Sequence, residues 1–443
     1  MYLLPYPKYK PSGVEWLGDV PEHWESRRFG YLFRFYSGGT PSTSESELWD
    51  GDLPWVSSKD MKSMVISDTE DHISEEAVCK SSTCKMPANS LLMVNRSGIL
   101  RHSIPAAIIT REMAINQDIR GCVPVNGVDP KFIAYLIEGN QPALLALWRQ
   151  QGATVESLTF ESVKTTNLHL PDLTEQQSIA AFLDRETGRM DRLMAKKREL
   201  IERLKEKRTA LISRTVTRGL PPAAARAAGL PANPPLKPSG LDWLGDIPKH
   251  WDVKQLKWAI KFQRGHDLPS DEREEGSIPL VTSAGTSAFI SKAAAKGPGI
   301  VTGRYGTIGE FYLVETDYWP LNTSLYSIEL RGNNISFLRY MLMHLSPLFL
   351  LNANKSAVPG VDRNDIHPTM TAVPPLPEQT AIAAHLDKET AKLDALVGKV
   401  EEAVERLQEY RTALITAAVT GKIDVRMSSL NGNYCVDTEK GTA

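Results

Sequence analysis

The phrase Lys10-Pro-Ser-Gly-Val-Glu-Trp-Leu-Gly-Asp-Val-Pro-Glu-His-Trp24 occurs again as Lys237-Pro-Ser-Gly-Leu-Asp-Trp-Leu-Gly-Asp-Ile-Pro-Lys-His-Trp251, identical at 11 of 15 positions. A second phrase, Leu173-Thr-Glu-Gln-Gln-Ser-Ile-Ala-Ala-Phe-Leu-Asp-Arg-Glu-Thr187, returns as Leu376-Pro-Glu-Gln-Thr-Ala-Ile-Ala-Ala-His-Leu-Asp-Lys-Glu-Thr390, identical at 10 of 15. The phrases alternate, so each half opens on the Trp phrase, runs through a body and closes on the Glu-Gln phrase. The bodies between them hardly resemble one another. A chain written this way folds as two related frames around divergent inserts, the plan expected of a molecule that reads two different things at a fixed separation.

The closing phrase starts a long charged helix in each half. Thr174 is placed to cap the first, with Gln177 as its capping-box partner. Apolar residues then follow at Met190, Leu193, Leu200, Leu204 and Leu211, and in the second copy at Leu393, Leu396, Val400, Ala403, Leu407, Tyr410 and Leu414. Alternating steps of three and four make a heptad seam. The first helix has Lys197 and Lys207 where the second has Val400 and Tyr410. That asymmetry favours the two helices pairing with each other, so that one chain imitates a symmetric dimer. About 40 residues at 1.5 Å each carry such a helix about 60 Å.

Between the first helix and the second Trp phrase, residues 219–240 are dense in proline and alanine and read as a linker that cannot continue the helix. Strands are expected at 90–95, 106–110, 299–302 and 310–314. Helices are expected after Asp129-Pro130 and from Ser336. The organisation predicted is a first body over 1–172, a long helix over 173–218, the linker, a second body over 241–375, a second long helix over 376–426 and a polar tail over 427–443, without fixed structure. The fold class is α+β: two pseudo-repeated α/β domains joined by two long helices in an antiparallel coiled coil.

Composition bounds the partners. With 443 residues, 42% apolar and 23% charged, each half is large enough to bury its own core. No run of 18 apolar residues and no leader pattern is present, so a cytoplasmic protein with no membrane partner is expected. The cysteines, Cys79, Cys84, Cys122 and Cys435, lack metal-ligand spacing and read as reduced thiols. The net charge of −2 requires any surface for nucleic acid to be local. The first long helix carries more Arg and Lys than acids, which suits a solvated face or a surface for DNA phosphates or acidic subunits.

Catalytic motifs are missing. Asn233-Pro-Pro-Leu236 nearly matches the Asn-Pro-Pro-aromatic signature of amino-methyltransferases, but it lacks the aromatic residue and sits in the linker. The glycines of Gly303-Arg-Tyr-Gly-Thr-Ile-Gly309 have neither dinucleotide-loop nor P-loop spacing, and Gly421-Lys422 is followed by Ile423. The histidines are scattered, with no metal set. No catalytic residue and no metal site is therefore assigned. What the bodies offer is polar loops beside strands: Arg96, Ser97, Arg101, Asn116 and Gln117 in the first, and Arg304, Tyr305, Thr307, Asn322 and Thr323 in the second. Such side chains suit hydrogen bonds to base edges, and glycine lets backbone N–H groups approach phosphates. They are the candidate DNA-binding residues.

Two variable bodies, each entered through Gly-x-x-Pro-x-x-Trp and left through a Glu-Gln phrase into a long helix, resemble the specificity subunit of type I restriction–modification systems. Ser37-Gly-Gly-Thr-Pro41 with Leu53-Pro-Trp-Val56, and Gly303–Gly309 with Trp319-Pro-Leu-Asn-Thr323, look like two kinds of target recognition domain in that family. The resemblance implies a non-catalytic subunit whose two domains each read one half of a bipartite site on double-stranded DNA, with the helix pair setting the gap. It implies two methyltransferase subunits as partners, using S-adenosylmethionine, and a restriction/translocase subunit using ATP and Mg. No cofactor is expected in this chain. The alternatives are a coiled-coil adaptor that binds only proteins and a self-sufficient DNA methyltransferase.

Overall fold

The computed structural model describes residues 4–125, 127–150, 155–305, 307–353 and 360–426; the polar tail falls outside them. The chain divides into two compact units, Met1–Lys196 with Ala403–Ala443, and Lys197–Glu402. Each unit thus holds one body, half of one long helix and half of the other.

Among the described residues, the first unit has a five-stranded sheet ordered Phe33–Ser37, Ile119–Pro124, Leu91–Val94, Ala106–Ile109, Val65–Ile66, and a four-stranded sheet ordered Asp71–Ile73, Leu53–Val56, Met113–Ile115, Cys84–Met86. The second has a four-stranded sheet ordered Lys261–Arg264, Ser324–Glu329, Gly299–Gly303, Phe311–Val314, and a three-stranded sheet ordered Gly285–Ile290, Glu275–Thr282, Trp319–Pro320. The runs read as strands are thus strands, within a residue or two. Leu91–Val94 and Gly299–Gly303 are buried throughout, which explains their unbroken apolar character.

Asp129 caps the helix Pro130–Gly139, its side chain accepting from Lys131 N at 2.8 Å and Phe132 N at 3.3 Å. Two other helix starts are corrected. The cap of the first long helix, Leu173–Arg218, is Asp172 rather than Thr174, since Asp172 Oδ1 accepts from Glu175 N at 2.8 Å. The apolar helix of the second body begins at Ile335, with Asn334 Oδ1 accepting from Phe337 N at 3.0 Å in place of a start at Ser336. Within the linker, Pro222–Ala227 forms a short helix of its own whose first residue is proline, where no N–H is missed.

The repeated phrases hold each unit together. In the first, the Glu175 carboxylate is buried and accepts from Tyr6 Oη at 2.7 Å and Trp24 Nε1 at 3.2 Å, with His23 Nε2 at 2.8 Å. In the second, Glu378 lies 3.1 Å from Trp251 Nε1 and 2.7 Å from His250 Nε2. The neighbouring glutamines repeat too: Gln176 accepts from Asp129 N and donates to Pro171 O, both at 2.9 Å, as Gln379 accepts from Asn334 N at 2.9 Å and donates to Pro374 O at 2.8 Å. Tyr135 reaches Asp184 and Thr187 as Tyr340 reaches Asp387 and Thr390. Much of the repeat is internal carpentry: Trp, His, Glu and Gln are retained because each satisfies a buried polar partner.

Within each unit the two helices run antiparallel. In the first, Glu175 and Gly421 both lie against the Trp24 side chain region, while Asp191 pairs with Arg411 at 3.1 Å. In the second, Gly219 lies by Glu378 and Arg208 pairs with Asp394 at 2.9 Å. The two bridges occupy equivalent positions.

The seam itself differs from the leucine reading. Met190, Leu393 and Leu414 are buried, and Leu204, Leu211, Val400 and Leu407 are half-buried. Leu193, Leu200 and Leu396 instead face outward, 43%, 44% and 48% exposed, as does Tyr410. The buried series runs through Met194 and Ile201, which keep the four-three spacing from Met190 that Leu193 and Leu200 break. Leucine at a neighbouring position masked the true register. Lys207 is likewise exposed, so of the polar seam residues only Lys197 stays in register.

Candidate functional site

Three loops converge at the end of the larger sheet in the first unit. The strand Phe33–Ser37 runs into Gly38, where a Cβ would collide with the Ile115 carbonyl, and Gly39 N donates to that carbonyl at 3.1 Å. The strand Leu91–Val94 runs on to Asn95 and Arg96, whose N–H groups donate to Asp118 O at 2.7 and 3.2 Å. A third segment joins them: Leu158 N donates to Asn95 O at 2.9 Å, and Arg96 forms an isolated bridge with Ser157.

The second unit repeats this construction with different residues. A Cβ at Gly265 would collide with the Leu321 carbonyl. Arg304 N donates to Thr323 O at 2.9 Å, Val361 N donates to Arg304 O at 2.9 Å, and Tyr305 bridges to Gly360. Gly38 and Gly265, Asn116 and Asn322, Gln117 and Thr323, and Arg96 and Tyr305 therefore hold equivalent places. Backbone bonds fix the loops in both, so the side chains are free to diverge.

The ten candidate residues fall into two groups on this frame. In the first unit Arg96 is exposed and its Nε lies 3.0 Å from Asp118 Oδ1; Arg101 is exposed beside Glu156 at 3.4 Å. Gln117 is exposed, and its Oε1 accepts from Thr40 Oγ1 at 2.6 Å, leaving the amide nitrogen to donate outward. Ser97 and Asn116 serve the loops: Ser97 caps the short helical turn Gly98–Arg101, and buried Asn116 accepts from Asp118 N at 3.0 Å. In the second unit Tyr305 is 44% exposed and Thr307 is exposed with its hydroxyl on Ser283 O. Asn322 donates to Asp267, and the Thr323 hydroxyl is buried without a partner.

Arg304 faces inward. Its side chain is 13% exposed, Nη1 donates to Asn322 O at 3.3 Å and Nη2 lies 3.7 Å from Asp362. Asp362 in turn caps the helix Arg363–Ile366. This arginine ties three loops together, and the outward-facing group beside it is Tyr305.

Sequence reasoning passed over Thr40, Asp118, Glu156, Asp267 and Asp362, which orient the candidates. The acids looked like solvated charges, and only their pairing with Arg or Asn across the fold gives them a role. Among the described residues no cluster of His, Cys, Asp and Glu could hold a metal ion, and no helix is long and apolar enough to cross a membrane.

The family model of the type I restriction modification DNA specificity domain matches residues 21–203 and again 248–406. The chain is 34% identical over 178 residues to the specificity subunit of the type I restriction enzyme EcoR124I/EcoR124II of Escherichia coli, covering 40% of this chain and 42% of that one. It is 27% identical over 270 residues to the type I restriction enzyme MjaIX specificity subunit of Methanocaldococcus jannaschii, covering 60% and 58%. The matched stretches thus span less than two thirds of either relative. The fold is that of a chain solved in work on complex assembly and conformational transition of the type I R-M system, with a TM-score of 0.70 at 16% identity over 91% of this chain and 99% of that one. Two matches to one domain model, placed on the two halves that share their buried staples, make this chain a member of the type I restriction modification DNA specificity family.

Proposed function

We propose that the chain is the non-catalytic, DNA-reading subunit of a cytoplasmic type I restriction–modification complex. Each unit reads one half of a bipartite duplex target through its three-loop cluster, and the long helices fix the gap between the halves. Two methyltransferase subunits dock on this scaffold and transfer methyl groups from S-adenosylmethionine to adenine N6, and a restriction subunit draws on ATP and Mg. The observation that carries the reading is the pair of equivalent clusters, built on one backbone plan with different exposed side chains: Arg96, Arg101 and Gln117 against Tyr305 and Thr307. A protein-binding adaptor would not need two polar, hydrogen-bonding loop sets at matched places. At the first cluster the arginine guanidinium groups offer donors that suit guanine O6 and N7, and the outward Gln117 amide nitrogen offers a donor to a base-edge acceptor.

Selection of duplexes from a random pool by the purified chain with its methyltransferase tests this. The expected product is a two-part sequence separated by unspecified bases. Recovery of no enriched duplex would favour the adaptor, and S-adenosylmethionine binding to the chain alone would favour a self-sufficient methyltransferase.

A further inference from the structure

Beside the first unit's loop cluster lies an open cleft of about 570 Å³ whose lining includes Arg28, Arg34, Arg120 and Lys164 with a single acid, Glu161. Among the described residues, none of these four cations has an ion-pair partner. Arg120 stands out. Its Nη1 meets Ser37 Oγ, its guanidinium lies 4.3 Å from the Phe160 ring centroid, and its Nε is buried with no partner. Lys164 Nζ covers the same ring at 4.6 Å. Burial holds the Arg120 guanidinium below its usual pKa, the mark of a cation lacking a counter-ion. At the far end of the cleft Tyr31 is 75% exposed on the turn Phe29–Tyr31.

The second unit repeats part of this arrangement, an exposed aromatic beside positive charge. Its turn Leu256–Trp258 follows the equivalent strand and presents Trp258, 57% exposed, with Lys257 Nζ at 5.4 Å and Arg331 at 5.9 Å from the ring. Tyrosine has become tryptophan and the cations have moved, yet an exposed aromatic flanked by positive charge persists. In the second unit, Lys261 and Arg331 are engaged by Glu329, at 3.1 and 3.0 Å, so the first unit's cleft is the stronger.

We infer that this cleft is a phosphate clamp, gripping the DNA backbone beside the half-site without regard to sequence. The inference rests on the DNA-reading function proposed above. The strand Phe33–Ser37 joins the cleft to the loop cluster at Gly38, and at about 3.3 Å per residue the run from Tyr31 to Gly38 spans roughly 20 Å, enough for several consecutive phosphates. Positive charge with few acids and no hydrogen-bonding amide suits phosphate rather than base edges.

The test compares the full chain with the double variant Arg28→Ala, Arg34→Ala, both exposed and so harmless to the fold. Affinity is measured against salt on two duplexes, one selected by the wild type and one unrelated. The expected result is a loss of roughly ten- to a hundredfold on both, with the log–log salt slope shallower by about two. Unchanged affinity and slope overturn the clamp, as does a loss confined to the selected duplex, which would mean base contacts. If the variant bound DNA normally but lost its methyltransferase, the cleft would be a protein-docking face. A wild-type chain that binds neither duplex sinks the DNA-reading function itself, and the clamp with it.

Discussion

Replacing Glu175 with alanine should destabilise the first unit far more than replacing it with glutamine. The carboxylate is 6% exposed and is the shared acceptor for Tyr6 Oη, Trp24 Nε1 and His23. A hydrogen bond to a charged group contributes about 1.5–3 kcal/mol, and a buried donor left alone costs about 1–3 kcal/mol. Tyr6 and Trp24 are both buried, while the His23 side chain is half exposed and regains water. Two stranded donors and little lost packing give about 3–5 kcal/mol for Glu175→Ala. Glu175→Gln keeps an oxygen for the same two donors and should cost about 1–2 kcal/mol. Hydrogen exchange resolved by segment is the assay, because the chain has two units and a single unfolding midpoint would merge them. Protection should fall over residues 4–30 and 170–190 and stay unchanged in Lys197–Glu402. Equal losses for alanine and glutamine, or a loss below about 0.5 kcal/mol, would refute the claim that this carboxylate staples the repeated phrases.

Other substitutions separate neighbouring roles. Ile201→Asp, which puts a charge at a buried seam position, should destabilise the second unit by about 3 kcal/mol or more, whereas Leu200→Asp should lie within about 0.5 kcal/mol, as segment-resolved hydrogen exchange would show. Inserting seven residues after Lys196 and seven after Glu402 lengthens each helix by about 10 Å, or about three base pairs, so the unspecified gap in the target should grow by that amount with its outer letters kept. Burial holds His169, His344 and His367 below the ordinary imidazole pKa. The unfolded chain therefore takes up protons first: stability is full above about pH 6.5 and falls as the pH drops below it towards the folded values. Unfolding free energies of each unit, from segment-resolved hydrogen exchange at pH 7.5 and 5.5, should differ accordingly, and His344→Gln should lessen the difference in the second unit.

The two-fold plan was legible because its cause is local and written twice: the helix length and the strands follow from short-range patterns, whereas of the helix starts only that at Asp129 did, those at Thr174 and Ser336 giving way to Asp172 and Asn334. The seam was read one residue off because leucine is common on both faces of these helices, and only burial distinguishes Leu200 from Ile201. The loop clusters were half legible. Arg96, Gln117 and Tyr305 stand where polar loops beside strands suggested, but Arg304 is turned inward by Asp362, a residue 58 positions away whose charge in sequence looks like any other. The loops of Asn116 and Asn322 were read at matching points of the two repeats, and backbone bonds keep them at equivalent places while the flanking side chains differ.

Mapping of methylated adenines in cells that express the chain with its methyltransferase tests the central claim most directly, with wild type set against Arg96→Ala, Gln117→Ala. The account predicts a two-part wild-type motif, and in the variant altered letters in one part only, with the other part and the spacing unchanged. A continuous motif, or both parts changing together, would contradict it.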